Sequence, residues 1–139
     1  MDAKKYMCEY QKCVLKIKNK LAEIEILDSI RTGTSAPMSG ERVQTSGSKD
    51  KAGDATARIV DLKNEIIECE MVQKEITDTI EQLKSDEYDV LHKRYVQDMT
   101  YKEIGFFCGY DKDWATTKHG RALQSLQRIL DERNDGWYK

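Results

Sequence analysis

Residues 100–132 decide the fold and read TYKEIGFFCGYDKDWATTKHGRALQSLQRILDE. Thr100 and Glu103 form a T-x-x-E pair, which is the capping-box pattern that starts a helix. Gly109 is the residue best suited to the positive φ that ends a helix, and Asp111 predicts the cap of a second, longer helix. A short helix, a glycine-containing turn and a longer helix together predict a helix-turn-helix.

The apolar residues of this stretch predict the buried sides of its two helices. On the first helix we expect Ile104, Phe107 and Cys108 to face inward, and Tyr110 to fill the angle between the helices. The second helix is expected to run to about Glu132 and to bury one side. That side consists of Ala115, His119, Ala122, Leu123, Leu126 and Leu130. His119 is therefore expected to be a packed or hydrogen-bonded core residue.

Another helix is predicted just before this stretch. Ser85 or Asp86 is expected to cap its N-terminus, with Leu91 and Tyr95 facing inward. These three helices give a predicted C-terminal domain over residues 85–139.

The N-terminal part of the chain is predicted to form two long amphipathic helices. The first runs from Ala3 to Ile30, and its expected inward residues are Tyr6, Tyr10, Cys13 or Val14, Ile17, Leu21, Ile24 and Leu27. The second has the strict 4,3 spacing of a coiled coil. Its seam contains Ala55, Ile59, Leu62, Ile66, Cys69, Gln73, Ile76, Ile80 and Leu83.

Because a single apolar stripe cannot bury itself, the second helix needs a partner. Either the first helix folded back on it or the same helix of another subunit fits this requirement. Residues 31–51 hold the only proline and three glycines, which predicts a long connection that is disordered rather than functional. We therefore expect an all-α protein, with a long antiparallel helical hairpin (a coiled-coil arm) over residues 1–84 followed by the helix-turn-helix domain.

Composition favours long solvated helices and argues against several classes of protein. Charged residues make up 35% of the chain and aromatic residues only 8%. Neither a glycine-rich phosphate loop, a nucleophile elbow nor a metal-ligand cluster is found in the sequence, so we expect a protein that is not an enzyme and has no cofactor.

The four cysteines lack zinc-site spacing and are expected to be reduced core residues. No apolar run is long enough to cross a bilayer, which predicts a cytoplasmic protein without a membrane partner.

The net charge of −2 means that any binding of nucleic acid depends on a local basic surface. Residues 112–128 provide one, because they contain four cations and one anion. The surface predicted to bind double-stranded DNA consists of Lys102, Lys112, Trp114, Thr116, Thr117, Lys118 and Arg121. Thr117 and Lys118 are expected to reach base edges, and Lys102 and Arg121 to hold phosphates. Trp114 is either a base contact or a wedge that holds the turn.

The C-terminal motifs resemble region 4 of bacterial sigma-70 factors over about 45 residues. The matching segments are Arg94-Tyr95, residues 100–105, residues 109–111 and residues 119–123. Together with residues 37–44 and 46–47 of the connection, they resemble small phage and prophage proteins of the ArpU type, which regulate late transcription. The resemblance implies a DNA-binding regulator of phage transcription, with RNA polymerase as a further partner and a homodimer formed through the helical arm.

Two other functions fit the same pattern. A small-terminase-like DNA packaging subunit also combines a helix-turn-helix with a helical oligomerisation arm, and assembly into a ring would indicate it. A coiled-coil adaptor or antirepressor acting on the transcription machinery would bind protein through the same module. Such an adaptor would show no affinity for duplex DNA at low salt.

Overall fold

The computed structural model describes residues 2–33 and 48–136, and all regular secondary structure in these ranges is helical. The all-α prediction is therefore confirmed. The helices are α1 (Ala3–Thr32), α2 (Ser48–Ile80), α3 (Ser85–Leu91), α4 (Tyr101–Cys108) and α5 (Lys112–Gly136), and a π-helical segment (His92–Val96) continues α3.

The connection between α1 and α2 is shorter than predicted. Residues 31 and 32 still belong to α1, and residues 48–51 already belong to α2, so the predicted bounds of 31–51 were wrong at both ends. The predicted disorder of residues 34–47, and the part of the family resemblance carried by residues 37–47, lie outside the described residues.

Contacts between residues divide the chain into two compact units. One unit contains residues 1–13 and 71–139, and the other contains residues 14–70. The units divide within α1 and α2. The domain boundary predicted after residue 84 is a different division and stays a prediction.

In the unit formed by residues 14–70, α2 buries Ala55, Ile59, Leu62 and Ile66, four residues of its predicted seam. Two ion pairs join α1 to α2. Lys20 Nζ lies 2.8 Å from Glu65 Oε1, and Arg58 Nε lies 3.2 Å from Glu23 Oε2. Lys20 precedes Glu23 in α1, whereas its partner Glu65 follows Arg58, the partner of Glu23, in α2. This order is the one expected of two antiparallel helices.

The predicted inward side of α1 was too wide. Leu21 is 53% exposed, and of the two alternatives Cys13 and Val14, Cys13 is buried while Val14 is 48% exposed. Successive residues turn by about 100° on an α-helix, so a helix that meets one neighbour buries only a narrow stripe. Val14 and Leu21 lie beside that stripe.

In the unit formed by residues 1–13 and 71–139, one core joins the start of α1 and the end of α2 to the C-terminal helices. Its buried members are Ala3, Tyr6, Met7, Ile76, Ile80, Leu91, Tyr95, Ala122, Leu126 and Leu130. A second, smaller cluster of Val90, Ile104 and Ala115 joins α3, α4 and α5.

Polar contacts border the larger core. The Tyr6 hydroxyl lies 2.9 Å from Thr79 Oγ1 and also donates to the Glu75 carboxylate. Arg133 donates to Thr79 Oγ1 at 2.8 Å and forms an ion pair with Glu75. The Tyr6–Glu75–Thr79–Arg133 contacts therefore fasten α5 to both α1 and α2.

The starts and ends of α4 and α5 follow the sequence prediction. Glu103 N donates to Thr100 Oγ1 at 3.2 Å and Thr100 N donates to Glu103 Oε1 at 2.8 Å, which completes the capping box. Gly109 ends α4 with a φ of 82°. Asp111 Oδ1 accepts the Trp114 N–H at 2.8 Å, so Asp111 caps α5 as expected.

Three predictions around these helices were wrong. Lys84, rather than Ser85 or Asp86, is the N-cap of α3, and its side chain makes no capping hydrogen bond. Phe107 was expected to face inward and Tyr110 to fill the angle between the helices, but each is 61% exposed. The buried side of α4 is set by Ile104 and Gly105, and Phe107 lies on the opposite flank from Gly105 because of the helical turn.

Gly105 allows the turn after α4 to approach the helix closely. A Cβ atom at this position would lie 2.3 Å from the carbonyl oxygen of Asp111, which is a backbone atom that cannot swing away. We expect Gly105→Ala to lower the free energy of unfolding by about 1–3 kcal/mol, measured by urea denaturation.

Gly120 offers the matched control, because a Cβ there would meet no atom within 4 Å. Gly120→Ala is expected to raise the stability by about 0.5–1 kcal/mol, since glycine is the weaker helix former. Equal effects of the two substitutions would contradict the close contact at Gly105.

Candidate nucleic-acid interface

The helix α5 has a sharply divided surface. Its predicted inward residues are buried, apart from Leu123, which is half-buried. At about 100° per residue, the opposite side carries a different set of residues, all of them exposed. These residues are Asp113, Thr117, Gly120, Arg121, Gln124 and Arg128, and we call them the outward side of α5.

Five of the seven residues predicted to bind DNA are exposed: Lys102, Lys112, Thr116, Thr117 and Arg121. Thr117 and Arg121 lie one turn apart on the outward side of α5, so the structure brings these two together. Thr116 is on a flank of the helix, where its hydroxyl donates to the carbonyl oxygen of Lys112 at 3.0 Å. Lys102 stands on the exposed side of α4.

Lys118 is held by an acid of α3. Its side chain is only 18% exposed, and Nζ lies 2.8 Å from Asp86 Oδ2. The hydrogen bond from Lys118 is the main reason that the pKa of Asp86 lies below its usual value. About two turns further along α5, Ser125 Oγ donates to Glu87 Oε2 at 3.0 Å. This flank of α5 therefore fixes the helix against the start of α3.

Trp114 is part of the turn between α4 and α5. Its ring stacks on the ring of Tyr110, with centroids 4.3 Å apart and planes inclined by 13°. It also packs against the cluster of Val90, Ile104 and Ala115. These are contacts expected of a wedge that holds the turn, and its alternative role as a base contact stays a prediction.

His119 lies at the centre of a buried polar group. Its Nε2 atom is 2.8 Å from the Tyr95 hydroxyl, and Nδ1 is 3.3 Å from the Tyr101 hydroxyl. The guanidinium of Arg94 covers the Tyr101 ring at 4.4 Å and donates to the carbonyl oxygen of Met99 at 3.0 Å. His119 is 7% exposed, so the prediction of a packed, hydrogen-bonded residue is confirmed.

Burial is also the main cause of the altered acidity in this group. It lowers the pKa of His119 to about 4, with smaller contributions from the charges of Arg94 and Lys4. It raises the pKa of the Tyr95 hydroxyl to about 12. His119 is therefore a neutral hydrogen-bonding residue at pH 7, which positions the π-helical segment against α5.

Sequence reasoning missed two features near the outward side. Gly120 is exposed in the middle of α5, and no packing contact requires a glycine there. An isolated glycine inside an otherwise helical pattern was the available signal. Phe106 (77% exposed), Phe107 and Tyr110 are exposed aromatic residues on α4 and the turn. The apolar periodicity of α4 predicted that Phe107 faces inward, so sequence reasoning did not identify it as an exposed residue.

The described residues contain no group of three or more His, Cys, Asp or Glu side chains that could hold a metal ion. All four cysteines lie within the described residues, and none of them forms a disulfide. Cys13 is buried, and Cys8, Cys69 and Cys108 are half-buried. None of the helices described in residues 2–33 and 48–136 has both the length and the apolar character needed to cross a membrane.

Comparison with known proteins found no match to a protein-family model, a curated protein or a solved structure. The resemblance to sigma-70 region 4 and to ArpU-type regulators therefore stays an expectation from the residues that carry it.

The pKa of His119 predicts a loss of stability in acid. Because this pKa falls from 6.5 to about 4 on folding, the unfolded chain binds more protons between these values. The free energy of unfolding should thus fall as the pH drops through this window, by at most about 3 kcal/mol. His119→Gln keeps a hydrogen-bonding group beside Tyr95, but glutamine does not titrate. The free energy of unfolding of this variant, measured by urea denaturation between pH 7 and pH 4.5, should therefore depend less steeply on pH than that of the parent.

His92→Gln is the control, because His92 bonds to Gln97 outside the buried group. It should leave the acid dependence as in the parent. If His119→Gln also left the dependence unchanged, His119 would not be its source.

Proposed function

We propose that this protein is a sequence-specific DNA-binding transcription regulator of phage or prophage origin. In this proposal α4, the turn at residues 109–111 and α5 form a helix-turn-helix, and α5 enters the major groove of the duplex. The observation that carries the proposal is the pairing of this tight turn with an α5 that is held on its buried side and one flank and is exposed on its outward side.

The turn has features that a helix-turn-helix requires. Gly109 takes a positive φ of 82°, and Gly105 lets the Asp111 carbonyl approach α4. Side-chain caps at Thr100 and Asp111 start both helices. Each of these features fixes the direction in which α5 leaves α4, and that direction decides whether a recognition helix can reach the groove.

The outward side of α5 has suitable chemistry for reading a duplex. Arg121 can bind guanine or a phosphate, and Thr117 can contact base edges through its hydroxyl or its methyl group. Gln124 can donate to and accept from adenine. Gly120 costs about 1 kcal/mol relative to alanine in a helix, and it adds no bulk on this side. The helix backbone can therefore approach another surface closely at Gly120.

The flank contacts prepare α5 for such a role. The Lys118–Asp86 ion pair and the Ser125–Glu87 hydrogen bond hold one flank, and the His119–Tyr95 hydrogen bond holds the buried side. A recognition helix that is already fixed loses little entropy on binding. In this proposal Lys118 acts mainly as a positioning residue.

Few cations are available for phosphate contacts, so one module alone is expected to bind weakly and with a shallow salt dependence. A homodimer formed through the helical arm of α1 and α2 would raise the affinity by placing two modules on one duplex. RNA polymerase is the further partner that the sigma-like resemblance implies.

An adaptor that binds protein is the second candidate function. The exposed rings of Phe106 and Phe107, whose centroids lie 5.5 Å apart, favour it, because large exposed apolar patches commonly mark protein contacts. Measurable affinity for duplex DNA at low salt separates the regulator from this adaptor.

Arg121→Glu tests the proposed DNA surface. After selection of a preferred site from random-sequence duplexes, fluorescence anisotropy should show that this substitution weakens binding by about tenfold or more. The expected loss combines a missing contact with repulsion between glutamate and phosphate. Circular dichroism should stay unchanged because Arg121 is exposed.

Lys16→Glu is the matched control, since it makes the same charge change at an exposed position of α1. It should leave the affinity close to that of the parent. Lys118→Glu is unsuitable as a test, because it would place two carboxylates together at Asp86 and disturb the fold. Normal binding by Arg121→Glu would contradict the assigned surface, and absence of duplex binding at low salt would favour the adaptor.

A further inference from the structure

A second stripe of α2 residues is exposed on the side away from the buried seam. Its members are Ala57, Val60, Asn64 and Ile67, which follow one another at spacings of three, four and three. Val60 and Ile67 are each 52% exposed. At about 100° per residue these positions share one side of the helix, so α2 has an apolar stripe that α1 does not cover.

The spacing assigns heptad positions to this stripe. Ala57 and Asn64 take position a, and Val60 and Ile67 take position d. An asparagine at a single a position is typical of parallel two-stranded coiled coils, where its amide bonds to the same residue of the other copy. The stripe therefore fits a second copy of α2 better than an unrelated apolar surface, which would leave the Asn64 amide without a partner.

Charges beside the stripe agree with this arrangement. Lys63 occupies position g and Glu68 the following position e. Both are exposed, and neither has an ion-pair partner within the described part of residues 14–70. In a parallel dimer, g of one chain faces the following e of the other, so Lys63 would meet Glu68 twice. An antiparallel dimer that pairs the same four residues would place Asp61 beside Asp61, and Lys63 beside Lys63, of the other copy.

The next pair of the parallel arrangement brings Glu70 near Glu75 of the other copy. Glu75 already forms an ion pair with Arg133 in its own chain, which reduces the repulsion. Among the pairs that flank the stripe itself, the two Lys63–Glu68 contacts are attractive and none is repulsive.

We propose that this stripe is the contact surface of a parallel homodimer. Two heptads span about 20 Å and bury well under the roughly 1,200 Å² of a stable interface, so the dimer should be weak, with a dissociation constant in the micromolar range or above. Because α2 is already folded in the monomer, association requires no helix formation. The surface deepens the dimerisation named above, but it acts without DNA.

Sedimentation equilibrium of the full chain without DNA tests this inference over about 5 μM to 1 mM. The parent should change from monomer to dimer with concentration. Ile67→Lys should remain monomeric, because it places like charges at the dimer centre. Ile26→Lys is the matched control, since Ile26 is 64% exposed on α1 and should not affect association.

Charge reversal tests the register. Lys63→Glu and Glu68→Lys should each weaken the dimer by about tenfold, and the double variant should restore it, because the two contacts return with opposite sign. Failure of the double variant to recover the dimer would overturn the parallel arrangement. A parent that stays monomeric, a larger ring, or an Ile67→Lys variant that dimerises normally would overturn the surface. Arg121→Glu should dimerise as the parent does, so failure of DNA binding and failure of dimerisation are distinguishable.

Discussion

Burial of one side of α5 is the constraint on which the C-terminal part of this protein depends. Leu126 and Leu130 pack with Tyr6 and Met7 of α1 and with the end of α2. The C-terminal helices therefore do not complete this larger core by themselves. Each fully buried side chain of this size contributes about 1.5–3 kcal/mol, so contacts with α1 and α2 supply much of what holds α5 in place.

Fixing α5 in this way also decides which of its chemical groups are available. On the buried side, His119 is hydrogen-bonded to Tyr95 and Tyr101, and on the flank Lys118 forms an ion pair with Asp86. The outward side stays exposed, and Thr117 and Arg121 form no such side-chain contact within the described residues. Fewer charged residues of α5 are therefore available to bind a partner than its sequence alone indicates.

Helix α2 has a similar division of surfaces. One stripe of α2 is buried with α1, and ion pairs such as Lys20–Glu65 lie along its border. Val60 and Ile67 stand on the other side and are half exposed. A helix with apolar residues on two sides can pack one stripe within its own chain, and the other stripe is then available to bind a second molecule.

Local sequence determined much of the fold. The T-x-x-E pair set where α4 begins, Gly109 where it ends and Asp111 where α5 begins, because capping depends on hydrogen bonds between near neighbours in the chain. The 4,3 spacing of α2 likewise identified its buried seam, since this spacing alone places residues on one side of a helix. Tertiary structure decided the rest. Whether Phe107, Leu21 and Lys118 are covered depends on where neighbouring helices lie. Asp86 is 32 residues from Lys118 in the chain, so no local pattern could reveal that it would occupy this lysine.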